Sequence, residues 1–297
     1  MTLRVATRRS PLALVQAKLV QRRLLDHGVE SELVLVDTRG DKDVHTDLVT
    51  LAGQGVFAVE IQRAVLAGEA DVAVHSAKDL PSITPEGLIL ASVPERLDAS
   101  DVLVGRSLAG LGPGATVATG SPRRRALLLE RRPDLQIVPL RGNMATRLAK
   151  SGINGVDAIV AARAALERLD ELDVVSERLD PTWFIPQVGQ GALALEARSD
   201  DVPTRAALTA INDPVAFLAV TAERAFLEEL GAGCSIPAGA HAEIEGVTLT
   251  LRGVMLEPDG TQSARAEFKG SDPHELGSRL ARYLRDDLGG GAFVAGI

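Results

Sequence analysis

The sequence has a single cysteine, Cys234, among its 297 residues. That excludes an internal disulfide framework and any zinc site built on several cysteines. Aromatic residues make up only 3%, which leaves few platforms for stacking bases. No apolar run approaches the roughly 20 residues needed to cross a bilayer. The first ten residues lack the apolar core of a secretory signal, so export is not expected. The five histidines, at 27, 45, 75, 241 and 274, show no metal-ligand spacing. There is no Gly-rich loop ending in Gly-Lys-Ser/Thr and no Gly-x-Ser-x-Gly. Lysine is scarce as well: five of the 32 basic residues are Lys, which leaves 27 Arg. The net charge of −8 argues against a general nucleic-acid binder. What remains is a cytoplasmic globular chain, 45% hydrophobic and 24% charged, with length for two or three domains.

The first two thirds alternate short β-branched runs with helical stretches. Strands are expected at 3–7, 33–37, 71–75, 88–93, 116–119, 137–140 and 156–160. Helices are expected at 11–27, 56–67, 122–132, 144–151 and 162–169. This alternation argues for α/β units with largely parallel sheets. Val5-Ala6-Thr7-Arg8-Arg9-Ser10-Pro11 is loosely echoed by Val117-Ala118-Thr119-Gly120-Ser121-Pro122. Each reads as a strand, a short turn, a Ser N-cap and a Pro at the first helical position. The echo suggests two similar α/β domains, the second starting near Asp98.

Codon usage would account for the Arg total, but not for Arg placement. Arg8, Arg9, Arg123 to Arg125, Arg141 and Arg147 sit where loops enter helices. A helix start offers unpaired amides and the positive end of the dipole, which favour anions. Plain capping is the other reading of the same residues.

The last third changes character. Asp213-Pro214 opens a helix running to Leu230. Strand-like runs follow at 240–244, 247–256 and 264–268, joined by short turns, which predicts an antiparallel sheet. A helix over 273–288 follows, with a frayed tail from Gly289.

Two further segments carry candidate chemistry. Asp71–His75 reads as a buried strand, and Ser76-Ala77-Lys78-Asp79-Leu80-Pro81 leaves its carboxyl end, where ligands gather in open α/β sheets. A Lys-Asp pair there is suited to anion binding and acid–base work, or is a turn before a proline. Cys234 lies in Gly231-Ala232-Gly233-Cys234-Ser235-Ile236-Pro237, after a helix end. The negative end of that dipole would not favour a thiolate, so the residue reads as an attachment point or as a small buried side chain.

Together these segments resemble the hydroxymethylbilane synthase family, the porphobilinogen deaminases. The resemblance covers nearly the whole chain. Its motifs are Ala6-Thr7-Arg8-Arg9-Ser10-Pro11-Leu12-Ala13, Thr38-Arg39-Gly40-Asp41, His75-Ser76-Ala77-Lys78-Asp79-Leu80-Pro81, Ser121-Pro122-Arg123-Arg124 and Glu130-Arg131-Arg132-Pro133-Asp134-Leu135. They continue with Leu140-Arg141-Gly142-Asn143 before Thr146-Arg147-Leu148, then Val188-Gly189-Gln190-Gly191-Ala192, Thr221-Ala222-Glu223-Arg224 and Gly233-Cys234-Ser235-Ile236-Pro237. Each is weak alone; nine in order are specific.

The resemblance implies an enzyme, a transferase of tetrapyrrole biosynthesis. It would condense four porphobilinogen molecules head to tail into hydroxymethylbilane, releasing ammonia. The chain would grow on a dipyrromethane cofactor, held by a thioether to Cys234. The implied fold is two periplasmic-binding-protein-like α/β domains plus a smaller α+β C-terminal domain with an antiparallel sheet. Their bounds would be 1–94 with a return segment at 192–209, then 98–185, then 214–297.

Each pyrrole brings an acetate and a propionate, and Arg binds carboxylates bidentately. By motif match, the cofactor would be held by Cys234, Lys78, Asp79, Thr119, Ser121, Arg123, Arg124, Arg141 and Arg147. Substrate and growing chain would meet Arg8, Ser10, Phe57, Arg141, Arg147 and Arg168. Asp79 would be the catalytic carboxylate. The resemblance brings no metal, no nucleic acid and no membrane, and implies a monomer.

Two family lysines are replaced, by Gln54 and Val59, in a segment that the family uses as a lid. The competing readings are a non-enzymatic ligand binder of the same two-domain build and a thiol-dependent transferase. The first leaves the Cys loop and third domain unexplained, and the second lacks a partner His for Cys234.

Overall fold

The computed structural model describes residues 2–37, 58–231 and 236–293. Cap-and-proline pairs set where its main helices begin. Ser10 Oγ accepts from the Ala13 amide (3.4 Å) and Ser121 Oγ from the Arg124 amide (3.4 Å), opening helices Pro11–Asp26 and Pro122–Arg131. Asp213-Pro214 and Asp272-Pro273 do the same for Pro214–Glu229 and Pro273–Arg282. In each, the cap oxygen satisfies a first-turn amide and the proline has none to leave unpaired.

The first sheet holds β1 (Thr2–Arg8), β2 (Glu30–Val36), β3 (Val72–Ser76), β4 (Leu88–Ser92) and, much later in the chain, β10 (Leu193–Arg198). Its order is β2-β1-β3-β10-β4. The second holds β5 (Asp101–Val104), β6 (Thr116–Ala118), β7 (Gln136–Val138), β8 (Ala158–Ala162) and β9 (Val175–Arg178), in the order β7-β6-β8-β5-β9. The two plans are the same. Three parallel strands are led by the one that precedes a Ser-Pro cap, a fourth runs antiparallel to them, and the fifth, at the edge, runs with the first three. The echo of the opening motif is therefore a repeat of topology.

The sheets are largely parallel, as expected, with one reversed strand in each. The reason is the crossing. The chain leaves the first sheet after β4 and enters the second as β5, antiparallel to β8; it returns as β10, antiparallel to β3. β5, β9, β10 and the helix Val202–Thr209 were not expected from sequence. Leu-Ala-Leu-Glu-Ala-Arg at β10 is rich in helix formers, and only pairing on both sides makes it a strand.

The third unit is a meander of β11 (Ala238–Glu245), β12 (Thr248–Leu256) and β13 (Ser263–Gly270). The helices Pro214–Glu229 and Pro273–Arg282 cover it, with Phe226, Leu251, Met255 and Leu280 fully buried between them. Helix 273–288 is α-helical to Arg282 and widens into a π turn over Tyr283–Asp287. Of the tail expected to fray, Gly290–Phe293 forms a 3₁₀ turn with Gly290 buried, and 294–297 lie outside the described residues. Of the helix expected over 56–67, Val59–Leu66 is described; the one expected over 144–151 ends at Leu148.

The two crossings, 93–100 and 187–192, lie against each other. Leu97 N donates to Gly191 O (3.3 Å), Arg96 Nε to Gln190 O (2.9 Å), and Gln190 Nε2 to Ala99 O (2.7 Å). Glu223, from the third unit, accepts from Arg96 (2.7 and 3.1 Å), the Gly189 amide (2.7 Å) and the Ala242 amide (2.8 Å). Burial alone would raise its pKa, but Arg96 and His241 outweigh that and hold it at about 2. Among the described residues, no helix is long and apolar enough to cross a membrane.

Candidate active site

The carboxyl ends of parallel strands leave amides and side chains pointing into one crevice. β1 ends in Arg8 and turns at Ser10; β3 ends in Ser76 and passes into a 3₁₀ turn, Ala77–Asp79. Both face the second sheet's loops across a cleft of about 890 Å³, at the large end for small-molecule sites. Arg8, Ser10, Lys78 and Asp79 line one wall, and Arg124, Arg141, Arg147 and Arg168 line the other. With Arg9, the described lining residues carry seven cations against two carboxylates, Asp79 and Glu171. The chain's net −8 thus hides a strongly basic cleft, which suits a ligand bearing several carboxylates.

Secondary contacts fix these cations. Arg147 Nε donates to Gly142 O (2.8 Å), and Arg168 Nη2 to Gly191 O (2.8 Å). Burial lowers the pKa of Arg147, and the neighbouring Arg124 adds to that while Asp79 opposes it. Burial brings Arg168 down to about 10. Cations set close enough to depress one another mark a place built for an anion.

Lys78 shows this most clearly. Burial and then the Arg124 guanidinium push its ammonium down to about 8, against the pull of Asp79 and Asp101. The sign follows directly: the side chain is a cation below that pH and loses its charge above it. Uptake of a polycarboxylate by the cofactor-free protein is therefore expected to weaken as pH rises through about 8. Lys78→Arg is expected to hold affinity past pH 9, because a guanidinium stays charged. Binding constants measured across pH 6.5–9.5 check this; the same alkaline loss in both proteins would refute it.

Thr119, Ser121 and Arg123 do not line the main cleft. Thr119 is buried, and its Oγ1 accepts from the Ser121 amide (3.2 Å). Ser121 and Arg123 line a small neighbouring cavity of about 20 Å³ together with Lys78, Gln187, Arg224 and Ile236. Arg123 is held by contacts within the protein. Its Nη1 donates to Ile185 O (2.6 Å) and its Nη2 to Asp101 Oδ2 (2.7 Å), and its guanidinium lies over the Phe184 ring at 5.6 Å. Both terminal nitrogens are already committed to the protein. Cys234, Phe57, Gln54 and the Thr38–Asp41 motif lie outside the described residues.

Two residues of the site went unassigned in the sequence. Asp101, fully buried at the head of β5, accepts from Arg123 and from Arg124 Nε (3.0 Å) and Nη2 (2.6 Å). Burial alone would raise its pKa; the two arginines hold it at about 2. Gln190, in the second crossing, donates to Asp101 (2.9 Å) and accepts from Lys78 (3.3 Å). The signal available for Asp101 was an acid opening an apolar strand, which calls for a buried cation somewhere.

The comparisons with known proteins agree over the full length. The family model described as "Porphobilinogen deaminase, dipyromethane cofactor binding domain" matches residues 3–206, and "Porphobilinogen deaminase, C-terminal domain" matches 217–286. The porphobilinogen deaminase of Roseiflexus sp. (strain RS-1) is 45% identical, aligned over 99% of both chains. That of Thermus thermophilus is 46% identical, over 96% of both. Among solved structures, a nutrient binding protein from Burkholderia cenocepacia bound to methionine aligns with 71% of this chain and 92% of its own, at 17% identity and a TM-score of 0.44. That last likeness is too weak to bear on function. The two family matches run through both α/β sheets and the meander, and they carry the strand ends that build the basic cleft: the chain belongs to the porphobilinogen deaminase family.

Proposed function

We propose that Asp79 is the working carboxylate of this cleft. As a hydroxymethylbilane synthase, the protein joins four porphobilinogen molecules head to tail and releases ammonia, a transferase reaction of tetrapyrrole biosynthesis. The observation that carries the assignment is the place of Asp79. It leaves the end of β3, lines the cleft, and lies within electrostatic reach of Lys78 and Arg147.

The donor set fits a dipyrromethane cofactor. Its two pyrroles carry an acetate and a propionate each, and Lys78, Arg124, Arg141 and Arg147 offer cations in one cleft. When bound, the cofactor supplies the nucleophilic pyrrole carbon on which the product is extended. Thr119 and Ser121 shape the turn that carries Arg124, and Arg123 anchors Asp101 beneath it. Cys234 is the thioether anchor. Arg8, Ser10 and Arg168 take the carboxylates of the incoming porphobilinogen, with Phe57 against its ring and Arg141 and Arg147 shared with the growing chain.

Asp79 then has three tasks. As the acid it passes a proton to the departing amine of porphobilinogen, and the carboxylate this leaves stabilises the cation that forms as ammonia departs. It later accepts the proton lost from the pyrrole carbon that has formed the new bond. The fixed cations keep the carboxylates of substrate and product away from Asp79, so the acid is not displaced.

Three sheets support units bounded as 1–94 with 192–209, 98–185 and 214–297. On this reading the enzyme is cytoplasmic, and monomeric as the family resemblance implies. The test is intact mass. Purified protein is expected to be heavier than its sequence by two linked porphobilinogen units, and Cys234→Ala is expected to lack that increment. An active preparation of unmodified mass would overturn the cofactor assignment.

A further inference from the structure

Between the two crossings sits an amide that the chemistry above does not use. Gln190 is fully buried. A primary amide offers two N–H donors and two acceptor positions, and here all four are used. Nε2 donates to Ala99 O (2.7 Å) and to Asp101 Oδ1 (2.9 Å). Oε1 accepts from Lys78 Nζ (3.3 Å) and from Arg124 Nη2 (3.4 Å). The partners come from four places: the first crossing, the head of β5, the turn after β3 and the helix after β6.

The flanking glycines make this approach possible. Gly189 has φ +73°, and a Cβ there would lie 2.8 Å from the Ala77 carbonyl carbon and 2.9 Å from the Lys78 amide nitrogen. Gly191 has φ +87°, and a Cβ there would lie 2.4 Å from Leu97 O. Gly-Gln-Gly is thus wedged between the backbone of Lys78 and the first crossing, with room for one side chain.

We infer that Gln190 is a positioning residue: its amide sets Lys78 Nζ and the Arg124 guanidinium, from opposite walls of the cleft, at a fixed spacing for neighbouring carboxylates of one bound polypyrrole. The inference rests on the reading of Lys78 and Arg124 as cofactor contacts. The chemistry of the position selects an amide. Two cations repel each other, and a neutral acceptor between them holds both without cancelling either charge. A glutamate would neutralise one of them and would set a second carboxylate against Asp101 where the amide now donates. An aliphatic side chain would leave Asp101 and both cations short of a partner.

The experiment uses the holoenzyme with ¹³C-labelled lysine. The chain has only five lysines, so the Lys78 ε-carbon resonance is identified by its loss in Lys78→Arg. Gln190→Met is expected to lower the Lys78 titration midpoint by about 0.5–1 pH unit, through loss of an acceptor. Gln190→Glu is expected to raise it by at least as much. Both are expected to lower kcat about tenfold or more, with KM for porphobilinogen within about twofold, since the incoming substrate is held elsewhere. A merely structural residue would not move the midpoint in opposite directions. An unmoved midpoint in both variants, or full turnover in both, overturns the inference. Loss of the site reading registers separately, as absence of the mass increment on Cys234.

Discussion

Asp79→Asn is expected to lower turnover by about 10²–10⁴-fold while leaving the cofactor's mass increment in place. The amide is the same size as the carboxylate, so the 3₁₀ turn Ala77–Asp79 and the cleft wall are preserved. What is lost is a negative charge among cations and a group able to take up a proton. Removing that charge also withdraws a pull on Lys78 and Arg147, both of which feel Asp79, so Lys78 is expected to lose its proton at a lower pH while the arginines stay charged and hold the carboxylates. The kinetic signature is therefore a collapse of kcat at nearly constant KM, read from single-turnover product formation. A variant retaining a tenth or more of the normal rate would remove Asp79 from the chemistry.

Asp101→Ala is expected to be the most damaging single change to stability, by about 3–5 kcal/mol. The carboxylate is fully buried and bonded to two arginines, themselves nearly buried. Its removal leaves two like charges facing each other without a counter-ion, and takes from Gln190 one of its two acceptors. The acid limb has a definite sign. Asp101 is held at about 2, below its ordinary 3.8, so its contribution is complete above pH 4 and fades as pH falls towards 2. Urea unfolding at pH 7 measures the loss. A midpoint within error of the unsubstituted protein would show that the buried pairs are energetically neutral.

The readable parts of the sequence were the local ones. Ser10-Pro11, Ser121-Pro122 and Asp213-Pro214 each declare a helix start within three residues, and the helices begin there. Arg8 and Lys78-Asp79 were legible because they follow short apolar strands, and α/β geometry places such ends at a ligand crevice. The unread parts depend on distant partners. Nothing in Asp101-Val102-Leu103-Val104 says that the acid meets Arg123 and Arg124 more than twenty residues on. Nothing in Leu193–Arg198 says that a helix-forming composition will be claimed by two strands. Arg123 and Arg124 are neighbours, yet successive helical side chains diverge by about 100°. Only the fold decides that Arg124 faces the cleft while Arg123 turns to Ile185 and Asp101.

The late arrival of β10 has a consequence for the nascent chain. β4 pairs with β10 alone, and β3, whose end carries Asp79, has β10 along one flank. About a hundred residues separate β4 from β10 in the sequence, which is about 5–20 s of synthesis at ordinary rates. During that interval β3 leaves the ribosome with one raw edge and β4 has no sheet to join, a state prone to mispairing. The second sheet has no such wait, because its strands run without interruption from Asp101 to Arg178. The half of the cleft that carries Arg124, Arg141 and Arg147 is thus complete first, and the half with Asp79 is sealed only by the strand that follows it.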